Sequence, residues 1–145
     1  MGHIRDILRT KGSQVHSIGT TAAVLEAVHY MNQHRIGAVV ITEEDRVAGI
    51  FTERDVLRSV VEDPRRPAEI PVVEVMTRNV ICCTPELPLD EASRIMKDRR
   101  IRHLPVCETD GRLLGLVSIG DINAYHASDQ EATIHFLHDY LYGHV

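Results

Sequence analysis

Two nine-residue stretches constrain this chain more than anything else in it. Gly49 opens GIFTERDVL, and Gly115, 66 residues on, opens GLVSIGDIN. Each has a glycine, two apolar residues, a hydroxyl residue, two variable positions, an aspartate and another apolar residue. Shifted by 65 to 68 residues, the rest of the chain follows the same register. IRDIL from Ile4 matches VVEVM from Val72, each a short amphipathic turn. Val15 and Ile18 match Val80 and Cys83, each a short strand. The helical pattern from Val24 to Ile36 matches the one from Leu89 to Ile101. Val24, Ala27, Val28 and Met31 form one apolar stripe at i, i+3, i+4 and i+7. GAVVIT from Gly37 and RHLPVC from Arg102 have strand length and apolarity. EEDR and ETDGR make acidic turns into VAGIFT and LLGLVS, further strands that run into helices from Val56 and Ile122.

The order within each copy is strand, helix, strand, turn, strand, helix. A unit of about 60 residues buries too little surface to be robust alone, so the two copies are expected to pack sheet to sheet and share a core. Pro64, Pro67 and Pro71, with Arg65 and Arg66, mark the linker. The expected units are residues 1–66, 67–127 and 128–145, the last an amphipathic helix with Ile134, Leu137 and Leu141 at helical spacing. The fold class is α/β: two β-α-β-β-α repeats packed pseudo-symmetrically into one module, with an extra C-terminal helix.

Composition narrows the function classes. No apolar run approaches the ~20 residues that span a bilayer, and the charged start MGHIRDILRTKG lacks a signal peptide's apolar centre. A net charge of −5 argues against non-specific nucleic-acid binding. Cys82, Cys83 and Cys107 contain no CxxC pair and are expected as reduced thiols in a cytoplasmic protein. Metal binding is not expected: His29 and His34, and His135 and His138, are expected on the surface, with no third ligand in view. Gly115 to Gly120 has Walker spacing, but Asp121 stands where a lysine is required, and there is neither GxGxxG nor GxSxG.

The duplicated Thr52-x-x-Asp55 and Ser118-x-x-Asp121 have two readings. Each is a capping box, a hydroxyl and an acid that start a helix. Each also places a hydroxyl and a carboxylate beside the free N–H groups of a helix N-terminus, which suits a phosphate and the two hydroxyls of a ribose.

With both copies in ordered register, and with RIRHLPVC from Arg100, the chain from about Ile4 to His126 resembles a tandem pair of cystathionine-β-synthase (CBS) domains, the Bateman module. The resemblance implies a non-catalytic sensor that binds AMP, ADP, ATP, NAD or S-adenosylmethionine between its repeats. It also implies a homodimer that signals to a protein effector. Asp55 and Asp121 match the ribose-binding aspartates, and Thr52 and Ser118 the hydroxyls near the phosphate. The site of Asp121 and Ser118 would add Leu116, Gln14, His16, Ile36 and Gly37; that of Asp55 and Thr52 would add Ile50, Arg54, Asn79, Ile81, Ile101 and Arg102. Arg102 and His103 match positions of phosphate-binding cations, where the first repeat has Gly37 and Ala38. The alternative is a dimerisation scaffold that ignores nucleotides, its aspartates serving only as helix caps. A catalytic barrel of the inosine-monophosphate dehydrogenase kind, of some 200 residues or more, does not fit in this length.

Overall fold

The computed structural model describes residues 2–12 and 15–142. The elements run α1 (Ile4–Lys11), β1 (Ser17–Gly19), α2 (Val24–His34), β2 (Ala38–Glu43), β3 (Arg46–Thr52), α3 (Glu53–Glu62), a 3₁₀ turn (Pro67–Glu69), α4 (Val72–Val75), α5 (Leu89–Arg99), β4 (His103–Cys107), β5 (Leu113–Ser118) and α6 (Ile119–Tyr142). One sheet has the order β1-β2-β3, with β1 parallel to β2 and β2 antiparallel to β3; the other is the antiparallel pair β4-β5. The mixed α/β architecture and the internal repeat are as the sequence implies.

Both hairpins follow from their turn residues. Glu44 and Asp45 take positive φ of 50° and 64° between β2 and β3, the left-handed pair that matches strand twist in a two-residue turn. In the second hairpin Gly111 takes φ 90°. The two tips touch through backbone bonds, Leu113 N–H donating to Asp45 O at 2.9 Å and Val47 N–H to Gly111 O at 3.4 Å.

Three expectations need correction. The strand expected at Val80 and Cys83 is only a single parallel bridge, Cys83 to Val106, so the second sheet has one strand fewer than the first among the described residues. The helix expected from Ile122 and the separate tail helix are one continuous helix, α6. Nothing in 119–142 breaks it, since its glycine sits in the first turn and it has no proline. Last, among the described residues the repeats do not share one core.

Two buried clusters exist instead. Ala22, Val24, Ala27, Met31, Val39, Ile41 and Phe51 of the first repeat pack with Ile70, Val72 and Met76. Cys83, Leu89, Ala92, Met96, Leu104, Val106, Val117 and Ile122 of the second repeat pack with Ile4 and Ile7. Each repeat thus lends its leading turn to the other's core. The exchange is pinned by paired backbone bonds: Val24 N–H to Ile70 O and Val72 N–H to Ala22 O, and equivalently Ile4 N–H to Leu87 O and Leu89 N–H to Gly2 O, all 2.8–3.0 Å. Apolar burial of roughly 25 cal/mol per Å² therefore couples the halves, although the cores are separate.

The leading glycine of each duplicated stretch relieves crowding. A Cβ on Gly49 would lie 2.8 Å from the backbone oxygen of Thr77 and 2.6 Å from Met76 Sδ; on Gly115 it would meet only Leu8, at 2.6 Å from Cδ2. Leu8 is a flexible side chain, whereas the Thr77 oxygen belongs to a two-way backbone bridge with Ile50. Gly49→Ala is expected to destabilise by about 1–3 kcal/mol, the usual penalty for overpacking, and Gly115→Ala by less. Urea unfolding of the two variants side by side checks the order; equal losses would contradict it.

Candidate functional site

Each duplicated stretch carries its hydroxyl and aspartate to the end of a strand and the first turn of a helix, beside a cleft between the repeats. The geometry repeats closely. Glu53 N–H, at the start of α3, donates to Gly37 O at 3.1 Å, and Ile119 N–H, at the start of α6, donates to Arg102 O at 2.9 Å. Gly37 and Arg102 are equivalent positions, so each helix start is tied to the head of a neighbouring strand.

The larger cleft, about 450 Å³, is lined by Ile50, Thr52, Arg54 and Asp55 of the first repeat and by Asn79, Ile81, Ile101, Arg102 and His103 of the second. The cleft brings together the residues expected around Asp55, and with them His103, which the sequence assigns to neither site. The smaller, about 340 Å³, brings together Asp121, Ser118 and Leu116 with His16, Ile36 and Gly37, again as expected. Gln14 lies outside the described residues. Gly37 and His103 line both clefts, which are therefore neighbours.

The two aspartates are held differently. Asp55 is buried; its Oδ2 accepts from Thr52 N–H at 2.9 Å and from the Thr52 hydroxyl at 3.3 Å, and its Oδ1 accepts from Arg58 at 3.2 Å. Asp121 keeps a quarter of its side chain exposed. Its Oδ2 accepts from Ser118 N–H at 2.8 Å and from Lys11 Nζ at 2.9 Å. Its own N–H donates to Ser118 Oγ at 3.1 Å, which leaves the serine proton to donate elsewhere. Both capping boxes are thus formed. Burial pushes the Asp121 carboxyl up, but the bonds from Ser118 and Lys11 outweigh it, and the net effect holds it below the ordinary carboxylate value.

Several lining residues were not among those expected. Lys11 reaches from α1 to both Asp121 and the carbonyl of Leu116, at 2.8 Å. Some 110 residues separate Lys11 from Asp121, and the exchange of leading turns that joins them has no local signature. Arg58, Arg99 and Arg100 join Arg54 and Arg102 in the larger cleft. Arg58 had a readable signal, since it stands three residues beyond Asp55 on a helix. Arg54 makes no ion pair among the described residues; Arg58 is the residue that pairs with the local acid.

The histidines differ too. His34, expected on the surface, is half-buried with its ring 4.7 Å from His16 and 4.3 Å from Tyr30, and the Tyr30 hydroxyl lies 3.0 Å from His16 Nδ1. Burial, then His34 and Lys11, lower the basicity of His16. Burial also lowers that of His103, against the pull of Asp121. Cys83 and Cys107 are buried and their thiols pushed up to about 12, while Cys82 is exposed.

Comparison with known proteins decides the family. The profile of the CBS domain matches residues 4–62 and again 72–127. The chain belongs to the CBS-domain family. It is 31% identical over 133 residues to the CBS domain-containing protein YhcV of Bacillus subtilis, covering 91% of each. It matches the crystal structure of a CBS-domain-containing protein from Agrobacterium tumefaciens with a TM-score of 0.79 and 38% identity, over 86% of this chain and 98% of that one. It also matches a CBS domain protein from Pyrobaculum aerophilum complexed with AMP, with a TM-score of 0.73 and 25% identity, over 82% and 88% of the two chains. No helix among the described residues is long and apolar enough to cross a membrane.

Proposed function

We propose that this CBS pair is a non-catalytic regulatory module that binds adenosine ligands in the two clefts between its repeats. The observation that carries this is the composition of each cleft: a hydroxyl-x-x-Asp from one repeat faces backbone-rich strand heads from the other. A ligand held by both repeats stabilises one relative arrangement of them, and a change in that arrangement is the signal. The AMP complex of the Pyrobaculum protein supports the ligand class. On this reading the functional units are residues 1–66 and 67–127, which contain the two family matches at 4–62 and 72–127, followed by the tail 128–145. Leu57, Val60 and Val61 on α3, and Ile134, Phe136, Leu137 and Leu141 on α6, are exposed. These apolar faces support a homodimer and an effector contact. Three free cysteines suit a reducing, cytoplasmic compartment.

The test is thermal unfolding with AMP, ADP, ATP, NAD, S-adenosylmethionine and GMP. Ligand at about a hundred times its Kd stabilises by about 2.7 kcal/mol, or roughly 5 to 10 °C here. Adenosine ligands are expected to raise the midpoint and GMP is not, and Asp121→Ala is expected to reduce the gain. A flat response from protein whose denatured extract contains no nucleotide by mass spectrometry would reject this function. The scaffold reading would then stand, supported by the two completed capping boxes.

A further inference from the structure

The pseudo-symmetry supplies an internal control on charge. Five arginines line the cleft of Asp55: Arg54 and Arg58 from α3, Arg99 and Arg100 at the end of α5, and Arg102. The equivalent positions around Asp121 are Gly120, Ala124, His34, Arg35 and Gly37. Only one of those is an arginine, and Arg35 lines neither cleft. The clustering is therefore a property of one cleft and not of the repeat.

Ion pairing does not account for it. Arg58 is paired with Asp55, but Arg54, Arg99, Arg100 and Arg102 make no ion pair among the described residues. The acids on the same lining are Glu53 and Asp55, the latter buried. Placement at a helix C-terminus explains one feature, because Arg99 closes α5 and favours its dipole. It does not explain Arg54 at the opposite kind of helix end, in the first turn of α3, where a cation is disfavoured. Nor does capping explain Arg100: it closes α5 with φ 55°, but Arg35 closes α2 in the same way with φ 54° and lines neither cleft. Gathering four unpaired guanidinium groups around about 450 Å³ costs self-repulsion in a chain of net charge −5, and a polyanion relieves it.

We infer that the cleft of Asp55 selects its adenosine ligand by phosphate number, taking a di- or triphosphate in preference to AMP, to the nucleoside or to the sulfonium cation S-adenosylmethionine. This rests on the adenosine reading proposed above and adds to it the class of ligand. Guanidinium groups bind phosphate oxygens in a bidentate fork. A two- or three-phosphate chain is long enough to meet arginines contributed by α3 and by the end of α5 together. The cleft of Asp121, with Lys11 already bound to its carboxylate, has no such surplus of positive charge.

The experiment is calorimetric titration of the full chain with adenosine, AMP, ADP, ATP, S-adenosylmethionine and GTP, at two salt concentrations. Affinity is expected to rise with phosphate number, by at least about tenfold from AMP to ATP, and to fall with salt more steeply for ATP. Arg54→Gln and Arg100→Gln are expected to flatten the series, and Arg35→Gln to leave it unchanged. Circular dichroism confirms that each variant is folded. Equal affinities for AMP, ADP and ATP would overturn the inference while leaving the adenosine reading intact, as would an unchanged ATP-to-AMP ratio in both cleft variants. GTP binding as tightly as ATP would uphold selection by phosphate and overturn the adenosine reading. No binding by any of them would overturn both.

Discussion

Replacing Phe51 by alanine is expected to cost about 3–5 kcal/mol of unfolding free energy, the range for a large aromatic side chain deleted from a packed core. Phe51 is fully buried on β3, opposite Val39 on β2, in the cluster completed by Ile70, Val72 and Met76. Typical domains have only about 5–15 kcal/mol in total, so the variant will be near the limit of folding. The shape of the transition is as informative as its midpoint. Were each repeat self-contained, loss of Phe51 would melt the first and leave the second, giving two steps in urea. Because α4 belongs to the first core and α1 to the second, unfolding the first repeat also strips the backbone partners of Ile70 and Val72. A single cooperative transition, shifted to lower urea with unchanged slope, is therefore expected. Two resolved transitions would show that the exchanged turns do not couple the halves.

That exchange also marks the limit of what the sequence discloses. A repeat offset of 65 to 68 residues is satisfied equally well whether Val72 packs on the second repeat or the first. Periodicity identifies an apolar face and says nothing of which partner covers it. The helices, hairpins and capping boxes depend on neighbours within four residues, so Val24–His34, the turn at Glu44 and Asp45, and the bond from Ser118 N–H to Asp121 were readable from the chain. The weak second leading strand was not. Val80 and Cys83 have strand-forming side chains, yet only Cys83 meets a partner backbone, at Val106. Within the clefts, the duplicated residues and the strand heads follow from the register. Lys11 does not, because its role depends on where α1 is carried by the exchange, and the five arginines come from two distant stretches, 54–58 and 99–102, that the fold brings together.

The contact of Lys11 sets up the second large effect. Its ammonium bonds both Asp121 Oδ2 and Leu116 O, the carboxylate assigned to ribose and a backbone position assigned to the ligand. Lys11 thus satisfies acceptors that a nucleoside would use, and a nucleoside must displace it. A hydrogen bond to a charged group is worth about 1.5–3 kcal/mol net. Lys11→Met, which keeps the apolar stem, is expected to strengthen adenosine binding at this cleft by about tenfold or more, each 1.4 kcal/mol being a factor of about ten. Adenosine is the appropriate probe because it has no phosphate for the lysine to attract. The stability cost is expected to be small, at most about 1 kcal/mol, since the lysine side chain is 42% exposed and such pairs contribute little. Lys11→Arg, which keeps the charge, should not reproduce the gain. Pairing Lys11→Met with Asp121→Asn closes the cycle: if the lysine acts by occupying this carboxylate, the gain disappears in the double variant. Weaker adenosine binding by Lys11→Met would mean instead that the lysine is itself a ligand contact, turning with the nucleoside and not yielding to it.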